Sequence, residues 1–385
     1  AWSATIQQAI TDYAVASHFE QITVPLAARQ SKEAAGRESR YQRLRELSED
    51  DAVILLGQHR NDQIETLLLQ LNRGSGPKGL ASMAEVHAWY QQRRLVRPLL
   101  AVSKQAIYDY AHARQLTWIE DNTNYDTRIE RNFLRHEVIP QLEQRWPSFG
   151  DSVLRSARLC AEQQQVLEDL LSDKLATQII TSPLLGKGLP VDSLRRQSAA
   201  MQRAMLRHWL MQTTVSEAAL PSYQQLEQIR QQALAARADS RMCVDCSTYQ
   251  VRCYQMALWV TERVTETALA QANEQSIRMP GRYHLVAPWG QLEIPPALAA
   301  LAPITLYYGL SQGKWQHPTR QGRKTQGDWL KQAQVPPWLR ATAPTLRLAS
   351  EWAWLPQVGW LHAATQGENT TPTCPPEPQW LITTD

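Results

Sequence analysis

The chain has 385 residues, of which 43% are hydrophobic and 20% charged, as in an ordinary soluble protein of two or three domains. No apolar stretch approaches the roughly 18 residues that a membrane span needs, and no signal-peptide pattern opens the chain. The five cysteines are odd in number and scattered, which fits a reducing cytoplasm better than a disulfide scaffold.

The net charge of +3 is unevenly distributed along the chain. Residues 276–350 carry nine Lys and Arg but only two acids, whereas the basic and acidic residues balance in each of the ranges 1–148 and 149–275. A basic segment beside neutral ones predicts a polyanionic partner, most simply nucleic acid. A solvated basic surface with no partner is the alternative.

Helices and strands alternate in the first part of the chain. The predicted elements are helices at 2–19 and 32–47 and strands at 22–24 and 53–56. The last strand, Val53 to Leu56, is continuously apolar and ends at Gly57, as a fully buried strand would. Asn61 is the predicted N-cap of the next helix. This β-α-β-α order predicts a parallel sheet.

The helix after Asn61 combines an apolar and an acidic face. The predicted apolar face consists of Ile64, Leu67, Leu68 and Leu71. Asp62 and Glu65 share the opposite, solvent-facing side with Thr66. Because open α/β sheets bind ligands outside the carboxyl ends of their strands, this acidic pair is a candidate site. The alternative is that two acids in a first helical turn merely complement the helix dipole.

The next predicted elements are a connection at 95–100, a helix capped by Ser103, and an Asn- and Asp-rich loop. The helix after this loop carries Arg128, Arg131 and Arg135 on one side. Further along, the sequence predicts amphipathic helices over 149–235 with a break at 181–190, a hairpin at 241–260, a linker at 266–276 and a helix at 327–334. Cys243 and Cys246 have metal-like spacing, but no second pair completes a tetrahedral site, so no metal site is predicted.

Several longer stretches match the signatures of one protein family. "GQHRNDQIETLLLQLNRGSGPKGLASM" is similar to the His-x-x-Asp-Asp-x-x-Glu-Thr and Arg-Gly-Ser-Gly-x-x-Gly-Leu signatures of the bacterial tRNA(Ile)-lysidine synthases. "RLVRPLL", "WIEDNTNYDTRIERNFLRHEVIPQL" and "VPPWLR" match in the same order, so the resemblance runs from about residue 1 to 375. One departure is Asn61, where many members carry the first Asp of an Asp-Asp pair.

The resemblance implies an α/β fold that lacks its phosphate-binding loop. The family adenylates with a PP-loop, a Ser-Gly-Gly-x-Asp-Ser turn whose backbone N–H groups cradle phosphates. No such hexapeptide occurs in the chain. We therefore expect the PP-loop to be absent, the chain to be truncated at its N-terminus, and the chain alone to be inactive. The expected fold is an incomplete Rossmann-like PP-loop domain (adenine nucleotide alpha hydrolase-like), then a helical domain and a small α+β C-terminal domain.

The resemblance also implies a reaction. It is the ATP-dependent ligation of L-lysine to C2 of the wobble cytidine 34 in the CAU anticodon of tRNA(Ile), through an adenylated tRNA, with Mg²⁺ expected beside ATP. Asp62 and Glu65 would hold the lysine cation and accept its proton, with His59 close by. A structural hydrogen-bonding role is the alternative for His59. The enzyme would be cytoplasmic and not membrane-bound, and a homodimer is compatible with these features.

Basic residues are assigned to phosphates by the same resemblance. Arg37 and Arg131 would face ATP phosphates or the anticodon backbone, because guanidinium pairs bidentately with phosphate. Surface ion pairs are the alternative for both. The residues assigned to tRNA are Arg73, Lys78, Arg135, Arg323, Lys324, Lys331 and Arg340. Gly74 as a helix C-cap explains part of "RGSGPKGL" equally well. Trp315, Trp329 and Trp338 lie among these bases and are interpreted mainly as core.

Three domains are predicted: a PP-loop synthetase domain at 1–147, a helical substrate- and tRNA-binding domain with a hairpin at 148–265, and a basic tRNA-binding domain at 276–385. Two rival functions remain open at this point. One is a catalytically inactive tRNA-binding fragment. The other is a PP-loop enzyme that thiolates tRNA, although that chemistry usually uses paired cysteines and residues 1–148 contain none.

Overall fold

The computed structural model describes residues 6–7, 10, 15–25, 32–213, 220–237, 241–246, 248–262, 274–301, 303–349, 351–363 and 374–381. The chain divides into two compact units, residues 1–167 and 168–385. Most of the helix predicted at 2–19 and most of the linker predicted at 266–276 lie outside the described residues. Within them, no helix is both long and apolar enough to cross a membrane.

The first unit alternates helices with short strands. Its elements are α1 (Lys32–Leu47), β1 (Val53–Leu55), α2 (Arg60–Asn72), α3 (Pro77–Leu80), β2 (Val86–Ala88), β3 (Arg94–Val96), α4 (Lys104–Ala113), a 3₁₀ turn (Asn122–Tyr125), α5 (Glu130–Phe133), a π-helical turn (Leu134–Val138), α6 (Ile139–Arg145) and the first part of α7 (Phe149–Ala176). The helix predicted at 32–47 is confirmed. The strand predicted at 22–24 is wrong, because these residues are exposed and have no regular structure.

The sheet of the first unit has the order β1-β3-β2. The predicted parallel pairing is confirmed, since β1 lies parallel to β3 in the register Val53↔Arg94. The predicted connection at 95–100 therefore begins as a strand. The prediction of a fully buried β1 is wrong: Val53 is 48% and Leu55 67% exposed. Both residues lie on the same face of this edge strand, which no described element covers.

Helix α2 begins two residues earlier than predicted, at Arg60 instead of Asp62. His59 is its N-cap, and the backbone N–H of His59 donates to Asp62 Oδ2 at 2.9 Å. Asn61 does not cap the helix; its side-chain oxygen accepts from the backbone N–H of Lys104 at 3.0 Å and so joins α2 to α4. The helix ends before Gly74, whose φ of +68° is the left-handed geometry of a glycine C-cap. The apolar face is shorter than predicted, because Leu71 is 58% exposed.

The segment α5–π–α6 presents two pairs of polar side chains in two directions. Arg131 and Arg135 are four residues apart and both reach α2. Asn132 and His136, also four apart, both bond the loop around the 3₁₀ turn. A π-helical turn of this kind is rare and often found at functional sites. Arg128 does not share the arginine face, since it precedes α5 and pairs with Asp126.

The second unit first builds a helical layer against a small sheet. Its elements here are the rest of α7, β4 (Ile180–Ser182), β5 (Gly186–Pro190), α8 (Val191–Arg195), α9 (Ala199–Thr213), α10 (Tyr223–Ala235), β6 (Cys243–Asp245), β7 (Tyr249–Tyr254) and β8 (Ala257–Glu262). The strand order is β4-β5-β8-β7-β6. The hairpin predicted at 241–260 is confirmed as β7–β8, and the break predicted in the helices is itself the hairpin β4–β5.

The rest of the second unit is mostly antiparallel sheet. Its elements are β9 (Gln275–Ile277), β10 (Gly281–His284), β11 (Gln291–Ile294), α11 (Pro296–Ala299), β12 (Ile304–Tyr308), β13 (Trp315–Gln316), β14 (Arg323–Lys324), α12 (Gln326–Gln332), α13 (Pro337–Arg340), β15 (Pro344–Leu348), β16 (Trp352–Leu355), β17 (Gly359–Ala363) and β18 (Gln379–Leu381). One sheet has the order β14-β13-β17-β16-β15-β12-β9 and a smaller one the order β10-β11-β18. Trp315 and Trp329 are core residues, as interpreted from sequence.

Candidate active site

Glu65 is the centre of a buried ion-pair cluster in the first unit. Its side chain is 0% exposed, although the sequence analysis placed it on a solvent-facing side. Arg135 donates to both carboxylate oxygens of Glu65, from Nε at 2.7 Å and from a terminal nitrogen at 2.9 Å. Arg131 Nε lies 3.6 Å from the same carboxylate and a terminal Arg131 nitrogen donates to Thr66 at 3.1 Å. The helix face is therefore buried because arginines from α5–π–α6 cover it.

Asp62 and His59 lie at the accessible end of this cluster. Asp62 keeps 13% of its side chain exposed, and its second oxygen is 3.5 Å from Arg135. His59 Nδ1 is 3.5 Å from Asp62 Oδ2, and this ring nitrogen has no hydrogen-bond partner. The cluster thus combines two carboxylates with two guanidinium groups. Its formal charges cancel when His59 is neutral.

The pKa of His59 lies below its ordinary value. Burial disfavours the imidazolium ion, and this effect outweighs the attraction of Asp62 and Glu65 for a proton. The pKa of Arg135 behaves differently. Burial lowers it, but hydrogen bonds to Glu65 and the negative charges of Glu65 and Asp62 more than compensate, so the pKa is raised. At neutral pH the site therefore holds a neutral imidazole next to a fixed cation.

A cavity of about 250 Å³ opens beside His59 and Arg135. The lining residues are His59, Lys104, Tyr108, Trp118, Ile119, Glu120, Asn124, Tyr125, Arg135 and His136. It lies beyond the carboxyl end of β1, where an open α/β sheet binds ligands. Since Asp62 is bonded to His59, the cavity adjoins the acidic pair that the sequence singled out.

Two aromatic groups form walls of this cavity. Tyr125 stacks on His136 with ring centroids 5.4 Å apart and 25° between the planes. Trp118 lies 5.7 Å from Tyr108, and both rings donate to Glu120 Oε1, at 3.1 Å and 3.2 Å. The carboxylate of Glu120 therefore orients these two rings.

The loop that carries Trp118 to Tyr125 is fixed by the π-helical segment. The side-chain amide of Asn132, which is buried, donates to the carbonyl oxygens of Thr123 and Asp126 at 2.9 and 3.0 Å. His136 Nε2 contacts the carbonyl oxygen of Asn124 at 2.9 Å. The same segment that neutralises Glu65 thus also holds the wall of the cavity.

The other basic residues assigned in the first unit lie apart from this cluster. Arg37 is exposed on α1 and stacks over Tyr41 at 5.5 Å. Arg73 and Lys78 are exposed in and after the turn that ends α2. Arg131 and Arg135 were expected to face phosphates, whereas in this structure both contact Glu65. None of these roles is decided by the geometry, and each stays a prediction.

The basic residues assigned in the second unit surround β14 and α12. Arg323 and Lys324 form β14, in which Arg323 pairs with Gln316 and Lys324 with Trp315. Lys324 Nζ donates to Gln332 at 2.8 Å and lies 4.9 Å from the Trp329 ring. Lys331 is exposed on α12. Arg340 Nε donates to the Val335 carbonyl at 2.8 Å.

Sequence reasoning missed part of the cavity. Lys104, Tyr108, Trp118, Glu120, Tyr125 and His136 received no role, although four of them lie in a stretch that carries the family resemblance. The available signal was the aromatic pair on either side of the polar run "EDNTN". Among the described residues no group of three or more His, Cys, Asp or Glu side chains could hold a metal ion.

Three family models match the chain. One described as a PP-loop domain matches residues 1–142, one described as TilS substrate binding domain matches 189–259, and one described as TilS substrate C-terminal domain matches 304–374. The first match corrects an expectation: a PP-loop domain is present over residues 1–142, which contradicts the expected absence of the PP-loop, and the expected inactivity loses its basis. The hexapeptide itself is not in the printed sequence, so the match depends on the rest of the domain.

Whole-chain relatives agree with these matches. The chain is 52% identical to the tRNA(Ile)-lysidine synthase of Idiomarina loihiensis over 99% of this chain and 82% of that protein. It is 38% identical to the enzyme of the same name from Vibrio vulnificus, over 85% of this chain and 74% of that protein. The Shigella flexneri tRNA(Ile)-lysidine synthase is also 38% identical, over 82% of this chain and 71% of that protein.

Proposed function

Because this chain belongs to the tRNA(Ile)-lysidine synthase family, we propose that it ligates L-lysine to C2 of cytidine 34 in a CAU-anticodon tRNA(Ile). In this reaction the C2 oxygen attacks the α-phosphorus of ATP and expels pyrophosphate. The ε-amine of lysine then attacks C2, and AMP leaves with the C2 oxygen. The observation that supports the proposal is the buried carboxylate–arginine cluster opening into a cavity within a PP-loop domain.

We propose different roles for the two carboxylates of the acidic pair, and their different exposures support this division. Asp62 is the carboxylate that retains access, so it can pair with the lysine ammonium. His59 beside it lines the cavity, and its lowered pKa keeps the ring neutral at pH 7, so it can take the proton that the ammonium must lose before attack. Glu65 acts with them by holding Arg131 and Arg135 at the site, where guanidinium groups stabilise phosphate charge.

The phosphate and tRNA contacts complete the proposal. Arg37 and Arg131 would meet ATP phosphates or the anticodon backbone. The assigned tRNA-binding residues are Arg73, Lys78, Arg135, Arg323, Lys324, Lys331 and Arg340. Mg²⁺ would arrive with ATP as the counter-ion of its phosphates, and the described residues contribute no metal site of their own. The enzyme would act in the cytoplasm, and a homodimer is compatible with the proposal.

Mutation of Asp62 provides the test. Purified chain is incubated with ATP, labelled lysine and a CAU-anticodon tRNA, and lysine incorporated into tRNA is counted and located by mass spectrometry. Asp62→Asn should lower transfer by orders of magnitude and leave tRNA affinity near normal. Asp109→Asn is the matched control, since Asp109 is exposed on α4 away from the cluster. Transfer by Asp62→Asn at the unmutated rate would refute the assignment.

A further inference from the structure

Arg97 is a buried arginine that directly follows β3, at the same edge of the sheet as the candidate active site. We infer that Arg97 is a positioning residue, which fixes His59 beside Asp62 by holding the neighbouring Gln58. This role rests on the proposed function, because His59 is the group proposed there to accept the proton. Arg97 is not among the residues that line the cavity, so it would act through other side chains.

The Arg97 side chain joins two segments that are distant in sequence. It is 5% exposed. Its Nε donates to Gln58 Oε1 at 2.6 Å, and a terminal nitrogen donates to the Ala84 carbonyl at 2.7 Å. Gln58 follows β1 and Ala84 precedes β2, so one guanidinium connects the segments on both sides of β3. An arginine suits this task because its planar fork offers several donors in fixed directions, whereas a lysine ammonium is a compact point charge.

The backbone around His59 is held on both sides. After it, the backbone N–H of Arg60 donates to the Val102 carbonyl at 2.9 Å. Before it, the side chain of Gln58 accepts the hydrogen bond from Arg97. His59 itself has the extended backbone of a helix N-cap, with φ of −127° and ψ of −178°. The position of its ring therefore depends on how firmly its two neighbours are held.

Gly57 increases the need for the bond to Gln58. The ladder of hydrogen bonds from β1 ends at Leu56, whose N–H donates to the Val96 carbonyl at 2.8 Å. Gly57 comes next, and fixing a glycine backbone costs more conformational entropy than fixing any other residue. A Cβ placed there would meet nothing within 4 Å, so close packing does not restrain this residue. The side-chain hydrogen bond of Gln58 thus restrains the chain between the end of the ladder and His59.

The position of His59 also affects its protonation. Burial lowers the pKa of His59, whereas the charges of Asp62 and Glu65 raise it. The positive charges of Arg135 and Lys104 lower it further. The other ionisable groups that line the cavity are Tyr108, Glu120, Tyr125 and His136. If the ring moved toward solvent, the effect of burial would weaken and the pKa would rise toward its ordinary value of 6.5. The titration midpoint of His59 therefore reports whether the ring is held in place.

The test measures the titration of His59 and the rate of lysine transfer in the same variants. Arg97→Lys keeps the charge and removes the fork, and Gln58→Met keeps the length of the side chain and removes the acceptor. The titration is followed by NMR of ring-labelled histidine, with the His59 signal identified by its loss in His59→Gln. In both variants the midpoint should rise toward about 6.5.

The kinetic effect should be confined to the chemical step. In both variants kcat for lysine transfer at pH 7 should fall about 10- to 100-fold, as a small misplacement of a reacting group does. The KM for lysine should stay the same, because Asp62 is the carboxylate proposed to hold it. The double variant should behave as either single variant does, since both changes break the same contact. Gln58 is half-buried, so Gln58→Met tests this contact even if Arg97→Lys does not fold.

Arg93→Lys is the matched control. Arg93 is a second buried arginine, 4% exposed, that precedes β3 and donates to Ser48 and Gln91. Its replacement should lower the free energy of unfolding but leave the His59 midpoint and kcat unchanged. Lower stability of Arg97→Lys and Gln58→Met with an unchanged midpoint and kcat would overturn the inference, because Arg97 would then be a structural residue only. An equal rise of the midpoint in Arg93→Lys would overturn it as well.

Failure of the proposed function gives a different result. If the unmutated chain transfers no lysine but the His59 midpoint still rises in Arg97→Lys and Gln58→Met, Arg97 positions His59 and lysidine synthesis is refuted. If lysine is transferred and the midpoint does not move in either variant, the synthase assignment stands and the positioning role is refuted.

Discussion

Arg135 donates two hydrogen bonds to the Glu65 carboxylate, one of 2.7 Å from Nε and one of 2.9 Å from a terminal nitrogen. The two residues are 70 positions apart in the chain. Glu65 is completely buried, while Arg135 keeps 21% of its side chain exposed toward the cavity. The carboxylate therefore fixes a guanidinium whose other side faces the place where substrate would lie. The same ion pair therefore contributes both to the stability of the first unit and to the arrangement of the candidate active site.

Replacing Glu65 with Gln should destabilise the first unit by about 3 kcal/mol, because Arg135 and Arg131 lose a buried counter-charge. Asp62→Asn should cost less, since its amide oxygen can still accept from the His59 N–H. Chemical denaturation of each variant measures both free energies of unfolding.

A double-mutant cycle distinguishes loss of the Arg135–Glu65 ion pair from a nonspecific loss of stability. Adding Arg135→Gln to Glu65→Gln should cost less than the sum of the single changes, because the unpaired guanidinium is removed. Additive losses of unfolding free energy would show that the two side chains do not depend on each other.

Lysine transfer should depend on the protonation state of His59. Burial lowers the pKa of His59, so its imidazole is neutral at pH 7 and becomes charged only below its ordinary value of about 6.5. If His59 accepts the proton, kcat should be constant around neutral pH and fall as the pH drops below that value. His59→Gln should abolish this acid limb, and an unchanged pH–rate profile in the variant would exclude the role.

The same shift predicts how stability depends on pH. A histidine with a lowered pKa in the folded state contributes stability that is fully present above the unfolded value of about 6.5 and is lost as the pH falls through the folded value. The unfolding free energy of the unmutated protein should therefore decrease more between about pH 7 and pH 5.5 than that of His59→Gln. Equal decreases would contradict the burial of His59 as a neutral ring.

The basic strand β14 should contribute to tRNA affinity through charge alone. Replacing Arg323 and Lys324 with Ala should weaken tRNA binding and flatten the log–log salt slope by about one to two units, because fewer counterions are released. Lysine affinity should not change. Gln332→Ala is the control, since it removes the hydrogen bond of Lys324 without altering charge. An unaltered salt slope in the double variant would leave these residues as plain surface.

Leu184 should be essential to the second unit, although it lies in the turn of a short hairpin. Its side chain is 5% exposed and packs in the same core cluster as Trp329 of α12. A second contact between these parts of the unit is the hydrogen bond from Tyr254 of β7 to the Gln334 carbonyl, at 3.1 Å. Leu184→Ala should lower the unfolding free energy by roughly 2–5 kcal/mol, as cavity formation in a core does. Leu170→Ala, at a 63% exposed position of α7, should have little effect. Similar losses in both variants would refute the packing role.

Much of the secondary structure around the candidate active site could be predicted from local sequence. The helix at Lys32–Leu47, the helix capped by Ser103 and the parallel pairing of β1 could be predicted, because periodicity, caps and strand order are properties of neighbouring residues. The spacing of Asp62 and Glu65 also placed both on one side of α2. What periodicity cannot report is which segment covers that side, and so the apparent solvent face proved to be buried under arginines.

The sequence by itself determined the family, the alternation of helices and strands, and the acidic pair at the start of α2. Only the tertiary structure decided that Glu65 is an internal counter-ion, that Asp62 and His59 are the accessible groups, and that the loop from Trp118 to Tyr125 forms a cavity wall. The physical reason is that burial and ion pairing depend on distances between segments far apart in the chain. The segment α5–π–α6 brings them together here, because Arg131 and Arg135 on one side of it contact α2, while Asn132 and His136 on another contact the loop around the 3₁₀ turn.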